Sequence, residues 1–354
     1  MAQEPAIDLR SDTVTRPTDA MRQAMAEADV GNSALGEDPT VDELEDEAAQ
    51  TFGKDAAVFM PSGTMANLAA LVAWTQDVER AEVIAESTSH ILLYESSSIA
   101  RVAHAQARPI EGHAGRMDPQ TVRAQLRPEG GPTIKPRTAL VCLEQTHNHA
   151  GGVAVPLDHL AEIAAIARSA DVPVHIDGAR ALNAATALDV EPAEVADHGD
   201  SIMLALTKGL GAPVGSVLAG PEAFVQRARR AKALLGGGMR QSGHLAAAGL
   251  LALKEGPRRL AEDHRRAREL AEGLADTDGI EVDLGRVDTN IVFFDVQGLG
   301  VDAETFAAHA AEADLGLDGM MAEHRVRAVT HRDVDDADVD EALATIRELA
   351  DRRR

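Results

Sequence analysis

The chain has 354 residues, enough to bury a large core and more than a single ordinary domain needs, and its formal net charge of −24 excludes nucleic acid as a partner, because phosphate neutralisation requires a basic face. A single cysteine, Cys142, excludes an internal disulfide and a multi-cysteine metal site, and fits a reducing cytosol. The N-terminal residues show no basic-then-apolar signal pattern, and no apolar run approaches about eighteen residues, so the expectation is a cytoplasmic protein without a membrane span.

Residues 1–40 match no regular unit and predict an arm and helix packed across the rest. From 41 to 254, short apolar runs alternate with longer amphipathic ones. AAVFM (56–60) precedes PSGTMANLAALVAW (61–74), and TALVCLE (138–144) precedes LDHLAEIAAIARSA (157–170). VPVHID (172–177) then leads into a loop, and SIMLALTKG (201–209) precedes GSVLAG (215–220). This rhythm predicts an α/β fold with a mostly parallel sheet, and runs apolar throughout predict helices on both faces. Helices are expected over 222–234 and 241–276, separated by Gly236–Gly238. From 255 to 354, TNIVFFDV (289–296), a helix near 302–314, VRAVTH (326–331) and a helix near 335–352 predict a small α+β domain.

Functional groups in open α/β sheets gather at the C-terminal ends of strands. After AAVFM, Ser62, Gly63 and Thr64 open a helix, and a helix N-terminus with small and hydroxyl residues suits an anion such as phosphate; an ordinary serine or threonine N-cap reads the same way. VPVHID ends in Asp177, a carboxylate that needs either Arg180 or a ligand nitrogen beside it. SIMLALT ends in Lys208, one of five lysines in a chain with 29 arginines. An amine can lose its proton and attack a carbonyl where a guanidinium cannot, although a strand-end lysine also snorkels to water. Phosphate cradle, carboxylate and reactive lysine together are what pyridoxal phosphate asks of a protein. In SHILLYE (89–95), His90 and Tyr94 share a face if the segment is helical. In THNHAGG (146–152), His147 and His149 form an H-x-H pair, but only Glu144 accompanies them, so a loop shaping the site is favoured and no metal is expected.

The segments DLRSDTVTRP (8–17), GEDPTVDELE (36–45), PSGTMAN, SHILLYE, LEQTHNHAGG (143–152), VHIDGAR (174–180), TKGLGAPVGS (207–216), LGGGMRQSG (235–243), TNIVFF and RAVTHRDV (327–334) occur in the family order of the low-specificity L-threonine aldolases. The chain resembles these pyridoxal phosphate enzymes of fold type I along essentially its whole length. The resemblance implies a large cofactor-binding domain (41–254) with a mostly parallel seven-stranded sheet, a small C-terminal domain (255–354), and a homotetramer of two tight dimers with active sites at the dimer interface. It implies Lys208 as the Schiff-base lysine, Gly63 and Thr64 at the cofactor phosphate, Asp177 at the pyridine nitrogen and His90 stacked on the ring. Ser11, Arg180 and Arg327 would receive the substrate carboxylate, with Arg180 also close to the cofactor. Arg240 would reach a neighbouring subunit's cofactor phosphate.

The activity implied is retro-aldol cleavage of the Cα–Cβ bond of L-threonine, L-allo-threonine or other β-hydroxy-α-amino acids such as phenylserine, giving glycine and an aldehyde. His90 is the first candidate for the base and His147 the second. GNSALGEDPT (31–40) departs from the family, with Leu35 in place of a tyrosine and Asn32 and Ser33 in place of two acids, which predicts a more apolar pocket. The alternatives are a β-eliminating lyase on the same fold and a non-catalytic binding protein. Retention of Lys208, Asp177, His90 and Arg327 together counts against the second.

Overall fold

The structure, a computed structural model, describes residues 5–130 and 134–353. Seven strands make its central sheet: β1 Ala56–Met60, β2 Ala81–Glu86, β3 Gln106–Ile110, β4 Arg137–Glu144, β5 Val174–Asp177, β6 Ser201–Ala205 and β7 Ser216–Gly220. Their order is β1-β7-β6-β5-β4-β2-β3, with β7 antiparallel to both neighbours and the other pairs parallel. The apolar runs are buried on both sides, against one core cluster on each face of the sheet. Two strands escape the apolar pattern. In β2, Glu82 is buried but paired with Arg108 and Arg127, and β3 is a partly exposed edge strand.

The helix Gly63–Thr75 starts where Ser62 turns extended and its hydroxyl accepts from the Met65 amide at 3.2 Å. Its buried residues include Ala66, Ala69, Ala70 and Ala73, small side chains that let it lie close under the sheet. Beyond β7, the helix Glu222–Leu234 forms as expected. The single helix expected over 241–276 divides instead into Gly243–Glu255 and Leu260–Ala275, joined by a 3₁₀ turn over Gly256–Arg259. Pro257 has no N–H for the helical ladder, and Gly256 abuts Leu210 so closely that a Cβ would lie 2.9 Å from its Cδ2.

A third apolar cluster gathers around the antiparallel pair Ile291–Asp295 and Arg325–Val329, covered by the helices Leu260–Ala275 and Asp336–Asp351. The N-terminal arm enters this cluster. Ile7 and Asp8 pair in parallel with Leu315 and Gly316, and Leu9 is buried among the same side chains. The arm then leads through the turn Asp12–Val14 to the helix Asp19–Glu27, which packs on Gly243–Glu255. No helix of the described residues is long and apolar enough to cross a membrane.

Candidate active site

The parallel strands end at one edge of the sheet, and the polar residues that follow them meet there. Register places Asp177 beside Glu144 on one side and Met203 on the other. Asp177 is buried; its Oδ2 accepts from Asn67 Nδ2 at 2.8 Å and its Oδ1 from the Ala179 amide at 3.2 Å. Asn67 sits one turn into the helix that begins at Gly63, so the same helix presents its N-terminus and the partner of Asp177. Gly63 faces β6, where a Cβ would come within 3.0 Å of Met203 Cε. The amides of Gly63 and Thr64, the first two of the helix, have no preceding turn of carbonyls to bond.

Lys208 lies in the connection from β6 to the antiparallel β7, between the buried Leu206 and Leu210. Burial, and then the positive charge of Arg180, lower the pKa of its amine from the ordinary 10.5 to about 8, against the opposing pull of Asp12, Asp177 and Glu144. The unprotonated amine that a nucleophile requires is therefore far more populated near neutral pH than in an ordinary lysine, at roughly a tenth of molecules at pH 7.

His90 begins a single helical turn, His90–Leu93, and the Tyr94 ring lies 5.4 Å from the imidazole, so the two share a face as their spacing predicts. The His90 amide donates to Glu144 Oε2 at 2.6 Å. Its Nδ1 is 2.9 Å from Glu95 Oε1, while Nε2 has no hydrogen-bond partner among the described residues. Burial opposes a charge on this ring, but the bond to Glu95 and the negative charge of Asp177 outweigh it and raise its pKa.

His147 is fully buried with both ring nitrogens engaged. Nε2 faces Glu86 Oε2 at 3.0 Å, and Nδ1 accepts from the Ala150 amide at 3.3 Å. Burial opposes its charge too, and Glu144 and Glu86 overcome it to raise the pKa. The bonds from His147 and Thr88 outweigh the burial of Glu86 and hold its carboxyl down to about 2. His149, the other member of the H-x-H pair, points to Tyr94 (3.3 Å) and Arg325 (3.4 Å) instead. The two histidines share no cluster of candidate metal ligands among the described residues; the one such cluster is His90, Glu95 and Asp177.

Two arginines converge on Asn148. Arg180 makes a two-pronged pair with Asp12, Nε and Nη2 each 2.7 Å from a carboxylate oxygen, and points Nη1 at Asn148 Oδ1 (3.3 Å). Arg327 brings its own Nη1 to the same oxygen at 3.3 Å, while Nη2 pairs with Asp318 at 2.8 Å and its buried Nε has no partner. Asp12 is buried, and although burial alone would raise its pKa, Arg180 and then Lys208 hold it well below the usual carboxylate range. Ser11, beside it, uses its hydroxyl to accept from the Thr13 amide and hydroxyl.

Lys208, Asp177, His90, His147, Arg180 and Arg327 thus form one charge-coupled group, flanked by Gly63 with Thr64 and by Ser11. Arg240 stands apart as an exposed residue whose backbone carbonyl holds Ser33. Leu35 is 69% exposed on the adjoining turn. The residues that hold the others in place went unremarked in sequence. Asp12, Asn67, Glu95 and Asn148 all lie inside the quoted segments, but a short acid or amide carries no sign of its partner until the fold supplies one.

The Beta-eliminating lyase family profile matches residues 8–298. The chain is 41% identical over 344 residues to "Low-specificity L-threonine aldolase 1" of Arabidopsis thaliana, covering 96% of this chain and 95% of that one. It is 42% identical over 330 residues to "Low specificity L-threonine aldolase" of Escherichia coli, covering 93% and 94%. Among solved structures, the Leishmania major threonine aldolase superposes with a TM-score of 0.81 at 20% identity, over 97% of this chain and 99% of that one. At that identity the likeness shows the shared fold.

Proposed function

The chain belongs to the low-specificity L-threonine aldolases of the β-eliminating lyase family, and on that premise we propose that it is a pyridoxal phosphate-dependent carbon–carbon lyase cleaving L-threonine and L-allo-threonine to glycine and acetaldehyde. The observation that carries this is a desolvated lysine, Lys208, within charge reach of a buried carboxylate, Asp177, that Asn67 fixes in place. The cofactor's chemistry fits what surrounds them. The helix start at Gly63 and Thr64 suits its phosphate, and Ser89 Oγ, Glu95 Oε2 and Thr146 Oγ1 are buried polar atoms without partners along the same loops. When bound, pyridoxal phosphate supplies a protonated aromatic ring that accepts the electron pair released at the substrate's Cα.

The chain's own residues do the rest. Lys208 and Asp177 are the residues that would hold the cofactor, the amine at its aldehyde and the carboxylate at its ring nitrogen. Arg180 and Arg327 take the substrate carboxylate in place of Asn148 Oδ1, and this grip orients the bonds at Cα. His90, whose Nε2 is free while Glu95 holds Nδ1, accepts the β-hydroxyl proton. The Cα–Cβ bond then breaks, the aldehyde leaves, and a proton returned to Cα, which balances the one His90 took from the hydroxyl, completes glycine. His147 could act as base only by giving up the Ala150 amide. Its pairing with Glu86 suits it better to hold the loop 146–152 around the substrate.

As the family resemblance implies, we also propose a homotetramer assembled from dimers and working in the cytoplasm, and the exposure of Arg240 suits it to lend its guanidinium to a neighbouring subunit. The test is product analysis of purified protein supplied with pyridoxal phosphate and threonine. Equimolar glycine and acetaldehyde, with a visible absorption band that Lys208→Ala abolishes, is the expected result. Pyruvate and ammonia would replace this reading with β-elimination, and a colourless preparation would remove the cofactor from it.

A further inference from the structure

Behind Asp177 a line of polar side chains runs through the core on residues that the reaction does not use. Trp74, the only tryptophan in the chain, donates its indole Nε1–H to Ser201 Oγ at 2.9 Å. Ser201 Oγ lies 2.9 Å from His175 Nδ1, His175 Nε2 lies 3.2 Å from Asn67 Oδ1, and Asn67 Nδ2 reaches Asp177 at 2.8 Å and Glu95 at 2.9 Å. Three periodicities assemble it. Asn67 and Trp74 are seven apart, hence on one face of their helix; His175 and Asp177 are two apart, hence on one face of β5; and register sets Ser201 beside His175.

The carboxylates at one end and the indole at the other give these bonds one consistent direction. Both neighbours of Asn67 Nδ2 are carboxylates, so the nitrogen is correctly placed there and Oδ1 must accept from His175. His175 therefore carries its proton on Nε2, and burial, which lowers its pKa to about 4, keeps it neutral so that Nδ1 accepts. Ser201 then donates to Nδ1 and accepts from the indole, which can only donate. The far end is anchored, because Trp74 stacks on Phe224 at 4.8 Å and Arg227 lies 5.2 Å over its ring. Asn67, His175, Asp177 and Ser201 are each at most 3% exposed, so water does not replace a missing member.

We infer that Trp74, Ser201, His175 and Asn67 form a one-way relay of hydrogen-bond dipoles ending on Asp177, and that they are positioning residues for the protonated ring nitrogen of the cofactor. Each dipole turns its positive end toward the carboxylate, and aligned bonds in a dry interior polarise one another. The inference rests on the cofactor reading above and adds residues to it. The charged and titratable groups that face Asp177 from other elements are Glu95, His90, Cys142, His147, Lys208 and Arg180, and the relay variants leave all of them in place.

Two measurements test it. In histidine-labelled protein, ¹⁵N NMR should show His175 as the neutral Nε2–H tautomer; an Nδ1–H tautomer reverses the chain and overturns the relay, whether or not a cofactor binds. In holoenzyme carrying ¹⁵N-labelled pyridoxal phosphate, His175→Leu makes Asp177 more basic and should move the shared proton from the ring nitrogen toward Asp177, read at fixed pH as a ¹⁵N shift toward the unprotonated ring, with a change in partition of about tenfold, the effect of about one net hydrogen bond. Ser201→Ala should shift it less and Trp74→Phe, which keeps the stacked ring, least. His175→Gln, which retains one donor and one acceptor, should restore most of the wild-type value. Equal ring ¹⁵N shifts in Ser201→Ala, Trp74→Phe and wild type would overturn the relay even if His175→Leu failed to fold. Absence of a Lys208-dependent band would instead overturn the cofactor reading.

Discussion

Replacing Asp12 with asparagine removes the charge that neutralises Arg180 while keeping the side chain's size. In the folded chain Asp12 is 0% and Arg180 4% exposed, and two bonds of 2.7 Å join them. Breaking a buried ion pair from one side strands the other charge, at a cost of about 3–5 kcal/mol. A value near the middle of that range is expected here, because Asn290 also loses a carboxylate acceptor at 3.2 Å. The pKa of Asp12 is depressed on folding, so its contribution is present above the ordinary carboxylate value of 3.8 and is lost only as pH falls through the lower folded value. The gap between wild type and Asp12→Asn should therefore be flat around neutrality and close only in strong acid. Urea unfolding followed by Trp74 fluorescence measures it. The double variant Asp12→Leu/Arg180→Met, which removes both charges, should unfold less readily than Asp12→Asn. A stability for Asp12→Asn within about 0.5 kcal/mol of wild type, or a double variant weaker than the single one, would refute the argument.

Three further outcomes are expected. The pKa of Lys208 is depressed on folding, so its burial destabilises the cofactor-free chain below pH about 8, and the penalty fades as pH rises from there toward 10.5. Lys208→Met should accordingly be the more stable protein at neutral pH, by up to about 3 kcal/mol at roughly 1.4 kcal/mol per pH unit, with the difference vanishing in alkali; unfolding at a series of pH values checks this. Glu95→Gln removes the carboxylate that raises the pKa of His90, so the acid limb of the kcat/KM profile should move to lower pH if His90 is the general base; an unmoved limb would assign the base elsewhere. Gly115 has φ +75°, and a Cβ there would lie 2.5 Å from His147 Cβ. Gly115→Ala should therefore cost about 1–3 kcal/mol and raise KM for threonine by disturbing the loop 146–152, as unfolding and steady-state kinetics would show.

Much of this molecule is legible in its sequence, for identifiable reasons. The strands β1, β4, β5, β6 and β7 are legible because both faces are covered and their runs are mainly apolar, with His175 in β5 an exception satisfied by Ser201 and Asn67, and the groups that end the parallel strands fall at one edge because those strands share a direction. β2 and β3 are hidden because a buried glutamate, Glu82, is made tolerable by arginines more than twenty residues away. The division of the helix at Gly256–Pro257 is written in two residues that periodicity alone passes over. At the site, chemically distinctive residues such as Lys208, His90 and Asp177 can be picked out from type and position. Asp12, Asn67 and Asn148 cannot, because their role is to satisfy a neighbour, and which neighbour is a property of the fold. The H-x-H spacing draws attention to His149, yet the residue between the pair is the one that faces both arginines.

The arm that brings Asp12 to Arg180 also dictates the order in which the catalytic apparatus can be completed. Ile7 and Asp8 pair with Leu315 and Gly316, and Leu9 lies in the cluster that the C-terminal helix closes. During synthesis the beginning of the chain therefore waits for a partner that leaves the ribosome about three hundred residues later. Until then Arg180 lacks its hydrogen-bonded carboxylate, although the strands that lead to Asp177 and Lys208 have already been made. On the proposed function, a nascent chain thus owns the lysine and carboxylate that would hold the cofactor before the arginine that would grip a substrate is set, and truncation near either end should disable that arginine.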